Sequence, residues 1–261
     1  MSGALGRVGD FAVYYGTGGE QVLSRYDLAV VEPAGRGPQE IASLKSGGGL
    51  ALAYLSVLER AGTRGEPAPA GVLAGDGRPV FNEQFGNWVL DPRDEGVRRR
   101  VLELAAYLLS QGYDGLFLDT LADLEDFALP PALRGECVLA AARLVADLAK
   151  SRRCVLVQNR GFHQVLPVTA RHLDGVCWED FPYERIGRFP ARYGGVRMLQ
   201  TLERANGMRV LALNEGVSTP KEARSAQRVA RRCGFPWYGT PRYTDLPPTD
   251  ARGGGEGRVA R

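Results

Sequence analysis

The chain alternates between short, continuously apolar runs and longer amphipathic stretches. Most of the short runs lack the polar alternation of a strand with one solvent-exposed face, and such runs are typical of strands covered on both faces in a parallel sheet. The predicted strands are Phe11–Gly16, Asp27–Glu32, Leu50–Leu58, Gly115–Asp119, Cys154–Asn159, Gly175–Glu179, Arg209–Asn214 and Phe235–Tyr238.

Helical periodicity fills the stretches between these runs. The clearest helix is Asp94–Gly112, in which apolar residues recur at helical spacing between an aspartate cap and a glycine stop. The same pattern predicts two more helices, Leu139–Lys150 and Pro220–Cys233. Eight strands alternating with helices over about 250 residues predict an α/β fold, a single (β/α)8 TIM barrel, with a doubly wound sheet as the competing architecture.

Polar side chains gather where the predicted strands end. They are Glu32, Glu59, Asp119, Asn159, Glu179, Asn214 and Glu215. In a barrel the carboxyl ends of the strands carry the active site, whereas helix capping alone would favour Ser, Thr, Asp and Asn over Glu. The pattern favours the barrel and places a site at its C-terminal mouth.

Two segments depart from the strand–helix rhythm. Residues from about 60 to 91 are rich in Gly and Pro, have no helical period and are too long for a routine connection, which predicts a loop or lid over the mouth of a barrel formed by residues 1–246. Residues 247–261 offer almost no apolar side chains to bury, which predicts a disordered tail.

Composition and charge narrow the class of protein. Hydrophobic content of 44% and charged content of 24% are those of a soluble globular protein. No apolar run approaches the roughly 20 residues of a membrane span. A net charge of +3, spread along the chain, does not suggest nucleic acid binding. No signal peptide is visible, so the sequence as it stands predicts a cytoplasmic protein, and we expect a monomer without membrane or nucleic acid partners.

Cysteine and histidine are poorly placed for metal chemistry. The four cysteines form no C-x-x-C pair, and the two histidines, His163 and His172, have no neighbour at metal-ligand spacing. These observations argue against a histidine-rich metal hydrolase and a Ser-His-Asp enzyme. We expect no metal and no cofactor.

The acids after the fourth and sixth predicted strands differ in their surroundings. Asp119 either caps the following helix or supplies a reactive carboxylate, whereas Asp123, Glu125 and Asp126 fall in the loop or first helical turn, where acids favour the helix dipole. Glu179 lies between aromatic residues and is poorly explained as a cap. Strands four and six end at one barrel mouth, and two facing carboxylates are the minimum machinery for glycoside hydrolysis.

Aromatic residues near the strand ends favour a carbohydrate ligand as a set, although each could instead belong to the core. Flat rings stack on the apolar faces of sugars. The residues are Tyr14, Tyr15, Trp88, Trp178, Tyr183, Trp237 and Tyr238.

Four segments resemble a known family. They read "WVLDPRDEGVRRRVLELAAYLLSQGYDGLFLDTLADLEDF", "VLVQNRGF", "DGVCWEDFPYE" and "VLALNEG". In this order they resemble the endo-α-1,4-polygalactosaminidase family, glycoside hydrolase family 114, over about residues 11–240. The first is the most specific, with a long helix, Gly-Tyr-Asp-Gly and an apolar strand that ends in Leu-Asp-Thr.

The resemblance implies a (β/α)8 barrel that hydrolyses polymers of α-1,4-linked galactosamine without a cofactor. It implies a catalytic pair, Asp119 as nucleophile and Glu179 as general acid/base, in a retaining mechanism. Members of the family are usually exported.

Other residues at the mouth are expected to bind a polysaccharide or oligosaccharide. They are Tyr14, Glu32, Glu59, Trp88, Asp91, Asn159, Asp180, Tyr183, Asn214, Glu215 and Trp237. So many carboxylates suit a cationic amino sugar.

Two alternatives remain open from the sequence. The first is a non-catalytic carbohydrate-binding TIM barrel, whose acids would only bind sugar hydroxyls. The second is a phosphate-binding barrel enzyme, but the ends of the last two strands, "NEGVSTPKEA" and "WYGTPRYTD", supply few of the glycines that a phosphate loop needs.

Overall fold

Eight parallel strands form one sheet whose order follows the chain. The computed structural model describes residues 4–151 and 154–247. We number the strands β1 (Phe11–Tyr14), β2 (Leu28–Val31), β3 (Leu50–Ser56), β4 (Gly115–Asp119), β5 (Val155–Asn159), β6 (Gly175–Trp178), β7 (Arg209–Glu215) and β8 (Trp237–Thr240). The predicted disordered tail, 247–261, lies outside the described residues except for Pro247.

The sheet curls until its first and last strands meet. The ring centroids of Phe11 on β1 and Tyr238 on β8 lie 5.9 Å apart. Just beyond these strands, the backbone N–H of Tyr15 donates to the carbonyl of Tyr243 over 2.7 Å. A doubly wound sheet reverses its strand order part-way, and this sheet does not. The prediction of a single (β/α)8 barrel is confirmed.

Helices cover the outside of the barrel. The α-helices are Glu20–Leu23, Pro38–Leu44, Glu95–Ser110, Asp123–Asp126, Pro131–Ser151, Leu166–Thr169, Tyr183–Ile186, Gly194–Asn206 and Pro220–Cys233, and short 3-10 turns lie at Ala4–Arg7, Ala170–His172 and Pro190–Arg192. Within the described part of the chain, no helix combines the length and apolar character needed to cross a membrane.

The helix before β4 begins where the sequence predicted. Asp94 caps Glu95–Ser110, since its carboxylate accepts the Val97 N–H at 2.9 Å. The largest difference between predicted and observed helix boundaries is in the long helix after β4. The helix predicted at Leu139–Lys150 begins earlier, at Pro131. Proline fits the first helical turn, where its missing N–H would have no partner, and Gly135 conceals the periodicity that follows.

The segment predicted as a mouth loop carries short strands of its own. Glu59–Ala61, Phe81–Asn82 and Asn87–Val89 form a three-stranded antiparallel sheet, and Ala74–Gly75 pairs with Arg78–Pro79. This insertion joins the barrel where the Leu90 N–H donates to the Leu58 carbonyl, 2.7 Å away.

An Asp-Gly pair starts both β4 and β6, the strands that lead to the candidate carboxylates. The Asp114 carboxylate accepts the Ala51 N–H of β3 at 2.9 Å, and the Asp174 carboxylate accepts the Leu156 N–H of β5 at 3.0 Å. After Asp114, a Cβ on Gly115 would collide with the backbone carbonyl of Val155. The aspartates fix the register, and glycine lets the neighbouring backbones approach.

Candidate active site

Asp119 occupies the last position of β4 and faces the barrel mouth. In the register of β3 and β4, Ser56 lies opposite Asp119 and Tyr54 opposite Phe117, so Tyr54 and Asp119 share one face. The Tyr54 hydroxyl donates to Asp119 Oδ2 at 2.7 Å, and Asn159 Nδ2 donates to Oδ1 at 2.9 Å. Both oxygens of this half-buried carboxylate therefore accept hydrogen bonds.

Glu179 follows the end of β6 and is held from two sides. Asn159 Nδ2 donates to its Oε2 at 2.7 Å, and the Tyr243 hydroxyl donates to its Oε1 at 2.7 Å. Burial raises the pKa of Glu179 above its usual range, although both hydrogen bonds favour the ionised form; the neighbouring charges of Asp119 and Asp180 raise the pKa further.

Asn159 at the end of β5 joins the two carboxylates. One nitrogen, Nδ2, donates to both Asp119 and Glu179. The separation of the two oxygens it contacts cannot exceed the sum of these two bonds, 2.9 and 2.7 Å. Three successive barrel strands thus bring their terminal side chains to one point.

Tyrosines surround the two carboxylates. The Tyr15 ring lies 4.9 Å from that of Tyr54 and 5.2 Å from that of Tyr243, centroid to centroid. Burial, followed by the nearby negative charges, raises the pKa of each of the three phenols. They remain neutral, so Tyr54 and Tyr243 are hydrogen-bond donors throughout the physiological range.

The backbone turns in the same way directly after each of the three site residues. Thr120, Arg160 and Asp180 follow Asp119, Asn159 and Glu179, and they have positive φ angles of 67°, 55° and 54°. Non-glycine residues rarely adopt this conformation, and such strain clusters at functional sites. The Thr120 hydroxyl helps to hold its turn, since it accepts the Leu58 N–H at 2.8 Å.

Glu59, predicted to bind substrate, lies instead at the base of the insertion. Its side chain is buried, and its two oxygens accept hydrogen bonds from Asn82 Nδ2 at 2.6 Å and Asn87 Nδ2 at 2.8 Å. Burial and the adjacent Glu59 carboxylate raise the pKa of Asp123 to about 9. Asp123 therefore holds a proton at neutral pH.

We expect Asp123→Asn to make stability less dependent on pH. The folded protein keeps the Asp123 proton up to about pH 9, whereas an unfolded chain loses it near pH 4, so this group lowers the free energy of unfolding as pH rises between those values. Thermal unfolding at pH 5 and pH 8 should show that the substitution raises the melting temperature more at pH 8. An equal change at both values would contradict the raised pKa.

The two acids that follow Asp123 bind neighbouring loops rather than the mouth. Glu125 accepts backbone N–H groups of His163, Gln164 and Val165 at 3.1, 2.6 and 2.8 Å. Asp126 pairs with Arg160 at 3.3 Å. Glu125 therefore holds the loop that follows β5, whereas Asp126 makes a single, partly exposed ion pair at its edge.

Several other predicted contacts are engaged within the protein. The Tyr14 hydroxyl donates to the Thr17 carbonyl at 2.9 Å, and Asp91 pairs with Arg93 at 2.8 Å. The buried Trp88 packs edge-to-face on Phe81 of the insertion, with ring centroids 4.7 Å apart.

Asn214 and Trp237 bind each other. The Trp237 indole N–H donates to Asn214 Oδ1 at 3.0 Å, and Asn214 Nδ2 donates to the Phe181 carbonyl at 3.1 Å. These two side chains brace the ends of β7 and β8 and leave little of the buried Asn214 available.

Four predicted contacts keep solvent access. Asp180 and Glu215 are exposed, and Glu32 and Tyr183 are half-buried. Among the described residues, no group of three or more His, Cys, Asp or Glu side chains is arranged to hold a metal ion.

Tyr54 and Tyr243 are absent from the residues that the sequence predicted. Tyr54 lies inside an apolar run, and only the register of β3 against β4 shows that it shares a face with Asp119. Tyr243 lies beyond β8, in a segment without periodicity, and no local pattern indicates its contact with Glu179, 64 residues earlier.

The family model of glycoside-hydrolase family GH114 matches residues 8–189. The chain belongs to this family. A comparison with curated proteins gives no match. The GH114 chain is therefore a glycoside hydrolase with a carbohydrate substrate, as the sequence segments predicted.

Solved structures share the fold of this chain. The glycoside hydrolase domain of PelA from Pseudomonas aeruginosa is 26% identical with a TM-score of 0.72, over 92% of this chain and 97% of that domain. Ega3 from Aspergillus fumigatus, solved with galactosamine, is 16% identical with a TM-score of 0.68, over 94% and 95% of the two chains. An α-galactosidase from Thermus thermophilus shares the fold at 21% identity and a TM-score of 0.59, over 93% of this chain and 59% of that one.

Proposed function

We propose that this glycoside hydrolase cleaves polysaccharides that contain α-1,4-linked galactosamine, with retention of anomeric configuration. Asp119 is the nucleophile and Glu179 the general acid/base. The observation that carries the proposal is that one side-chain nitrogen, Asn159 Nδ2, donates hydrogen bonds to both Asp119 and Glu179.

The limit that Asn159 sets on the carboxylate separation favours retention. Retaining pairs lie about 5–5.5 Å apart, whereas inverting pairs lie about 6.5–9.5 Å apart to leave room for a water molecule. The nearest oxygens of Asp119 and Glu179 are separated by no more than the sum of 2.9 and 2.7 Å, which is below the inverting range.

The surroundings of the two carboxylates suit different roles. Burial favours a proton on Glu179, as a general acid requires, while Asp119 accepts hydrogen bonds from Tyr54 and Asn159, which hold its carboxylate in place for attack. In the first step Asp119 bonds to the anomeric carbon as Glu179 gives its proton to the departing oxygen. In the second, Glu179 takes a proton from water, whose oxygen displaces Asp119.

The proposed substrate rests on the family, on the PelA and Ega3 neighbours and on charge. The solvent-accessible carboxylates at the strand ends, Glu32 and Asp180, would attract the ammonium groups of unacetylated galactosamine. The free amines of a partly deacetylated polymer are positively charged and would be attracted to these carboxylates. Acetylation removes the charge and therefore the attraction.

The test is hydrolysis of α-1,4-linked galactosamine oligosaccharides of defined acetylation, followed by NMR. We expect the first-formed reducing end to be α, and we expect cleavage to slow as acetylation increases. A β product would overturn retention, and tighter binding of acetylated chains would overturn the electrostatic part. Binding without cleavage would favour the non-catalytic carbohydrate-binding barrel.

A further inference from the structure

The segment after β8 returns across the barrel mouth and places Tyr243 beside Glu179. Three contacts fix the residue: its carbonyl accepts the Tyr15 N–H at 2.7 Å, its N–H donates to Glu215 Oε1 at 3.0 Å, and its ring lies 5.2 Å from the Tyr15 ring. Residue 243 lies outside the part of the chain that the family model matches, 8–189.

We propose that Tyr243 is a positioning residue that orients Glu179 and stabilises its ionised form, and that Glu215 acts through Tyr243 rather than on the sugar. The proposal rests on the role of Glu179 in the proposed function. It assigns a part in the reaction to the segment from 241 to 246.

A phenol is a suitable hydrogen-bond partner for Glu179, because Glu179 loses and regains a proton in each catalytic cycle. When Glu179 is ionised, the Tyr243 hydroxyl donates to Oε1 at 2.7 Å. A phenol oxygen can also accept a hydrogen bond, so the contact can persist after Glu179 takes a proton. Asn159 Nδ2 can only donate, and it also serves Asp119.

Glu179 has ionisable neighbours on several elements. These are Asp119 on β4, Cys177 and Asp180 close to it in sequence, Tyr15 after β1, and Tyr243 after β8. Burial and Glu179 raise the pKa of Tyr243, so it remains a neutral donor while Glu179 titrates. Within the described part of the chain, Tyr243 is the hydrogen-bond donor to Glu179 Oε1, whereas Asn159 serves Oε2.

The test compares Tyr243→Phe with two matched variants. Tyr54→Phe removes the same hydroxyl from the other carboxylate, and Tyr238→Phe removes a buried tyrosine hydroxyl that has no hydrogen-bond partner among the described residues. We expect Tyr243→Phe to lower kcat by about 10- to 100-fold with little change in KM, as loss of a hydrogen bond to a charged group predicts.

The pH profile separates positioning from a general loss of structure. Without Tyr243 the ionised form of Glu179 loses a donor, so its pKa rises further and the basic limb of kcat/KM moves to higher pH. We expect this limb to stay in place in Tyr238→Phe and Tyr54→Phe. Glu215→Ala, which frees the Tyr243 N–H, should move it in the same direction by a smaller amount.

A direct titration keeps the inference separate from the proposed reaction. The pKa of the Glu179 side chain can be measured without substrate, by following its carboxyl carbon by NMR in 13C-labelled protein as the pH changes. The Glu179→Gln variant assigns the signal. A higher midpoint in Tyr243→Phe, or in Glu215→Ala should the first variant not fold, would support the inference even if wild type cleaves no galactosamine polymer. An unchanged midpoint, or a slower reaction with an unchanged pH profile, would overturn it.

Discussion

Asp119→Asn and Glu179→Gln are each expected to reduce kcat on a natural oligosaccharide by about 10³-fold or more, in proteins that still fold. Asn at 119 cannot attack the anomeric carbon, and Gln at 179 cannot give a proton to the leaving oxygen. Both substitutions keep the side-chain shape, and an amide can still accept from Asn159. Circular dichroism and thermal unfolding check the fold, and steady-state kinetics measure the loss.

The control for these substitutions is the same chemical change outside the site. Asp126→Asn removes an acid whose partner is Arg160, in a single ion pair that is partly exposed. Such pairs contribute little, so we expect activity within a few-fold of wild type. An equal loss in this variant would mean that kcat follows general stability rather than the two carboxylates.

Truncation of each carboxylate to alanine separates the two roles. An activated leaving group, such as dinitrophenolate, needs no proton, so it should restore the first step in Glu179→Ala but not in Asp119→Ala. In each variant, added azide should occupy the space of the missing side chain. In Glu179→Ala, azide attacks the glycosyl-enzyme from the Glu179 side and gives a glycosyl azide of retained configuration. In Asp119→Ala, azide attacks the substrate from the Asp119 side and gives inversion. The reverse pattern would exchange the two assignments.

Gly115→Ala is expected to destabilise the folded protein by about 3 kcal/mol or more, or to prevent folding, because the new methyl group would collide with backbone. The Val155 carbonyl on β5 lies in the space of the added Cβ, and a strand cannot move aside as a flexible side chain can. The displaced pair, β4 and β5, carries Asp119 and Asn159. Urea unfolding with the midpoint and slope compared against wild type measures the effect.

Gly135→Ala is the matched control for that substitution. Gly135 lies within the helix Pro131–Ser151, it is exposed, and a Cβ there would meet no atom within 4 Å. Alanine has the higher helix propensity, so we expect a gain of roughly 0.5–1 kcal/mol. Equal losses at both positions would show that the close approach at Gly115 is not the cause.

Much of the barrel could be predicted because its strands are locally distinctive. The apolar run from Gly115 ends at Asp119 as predicted, and the other strand boundaries move by only one or two residues at most ends. The helix Gly194–Asn206 was not predicted, since its two opening glycines and the irregular turns before it give no start signal. The short strands of the insertion are also too brief for a two-residue period to appear.

The convergence of the candidate site residues was predictable only where it follows from position along a strand. Asp119, Asn159 and Glu179 lie at the ends of consecutive strands, so parallel topology alone brings them to one mouth. Tyr243 comes from beyond the last strand, and its placement depends on tertiary contacts with Tyr15 and Glu215.

A position at a strand end did not show whether a polar residue is free to bind a ligand or is already hydrogen-bonded within the protein. Glu59 and Asn214 lie near the mouth, but neighbouring amide, carbonyl and indole groups take up their hydrogen bonds. A sequence shows that a polar residue is present at the mouth. It does not show which partners the folded chain supplies.

The return of the chain from β8 to β1 also determines what an independently expressible unit must contain. A fragment cut at the limits of the family match, 8–189, would retain both carboxylates and Asn159. It would lack β7, β8 and Tyr243, so the barrel would stay open between β6 and β1, and the apolar edges of both strands would meet water. Recombinant fragments and domain fusions should therefore extend past residue 246, because the border of sequence similarity is not a border of the folded unit.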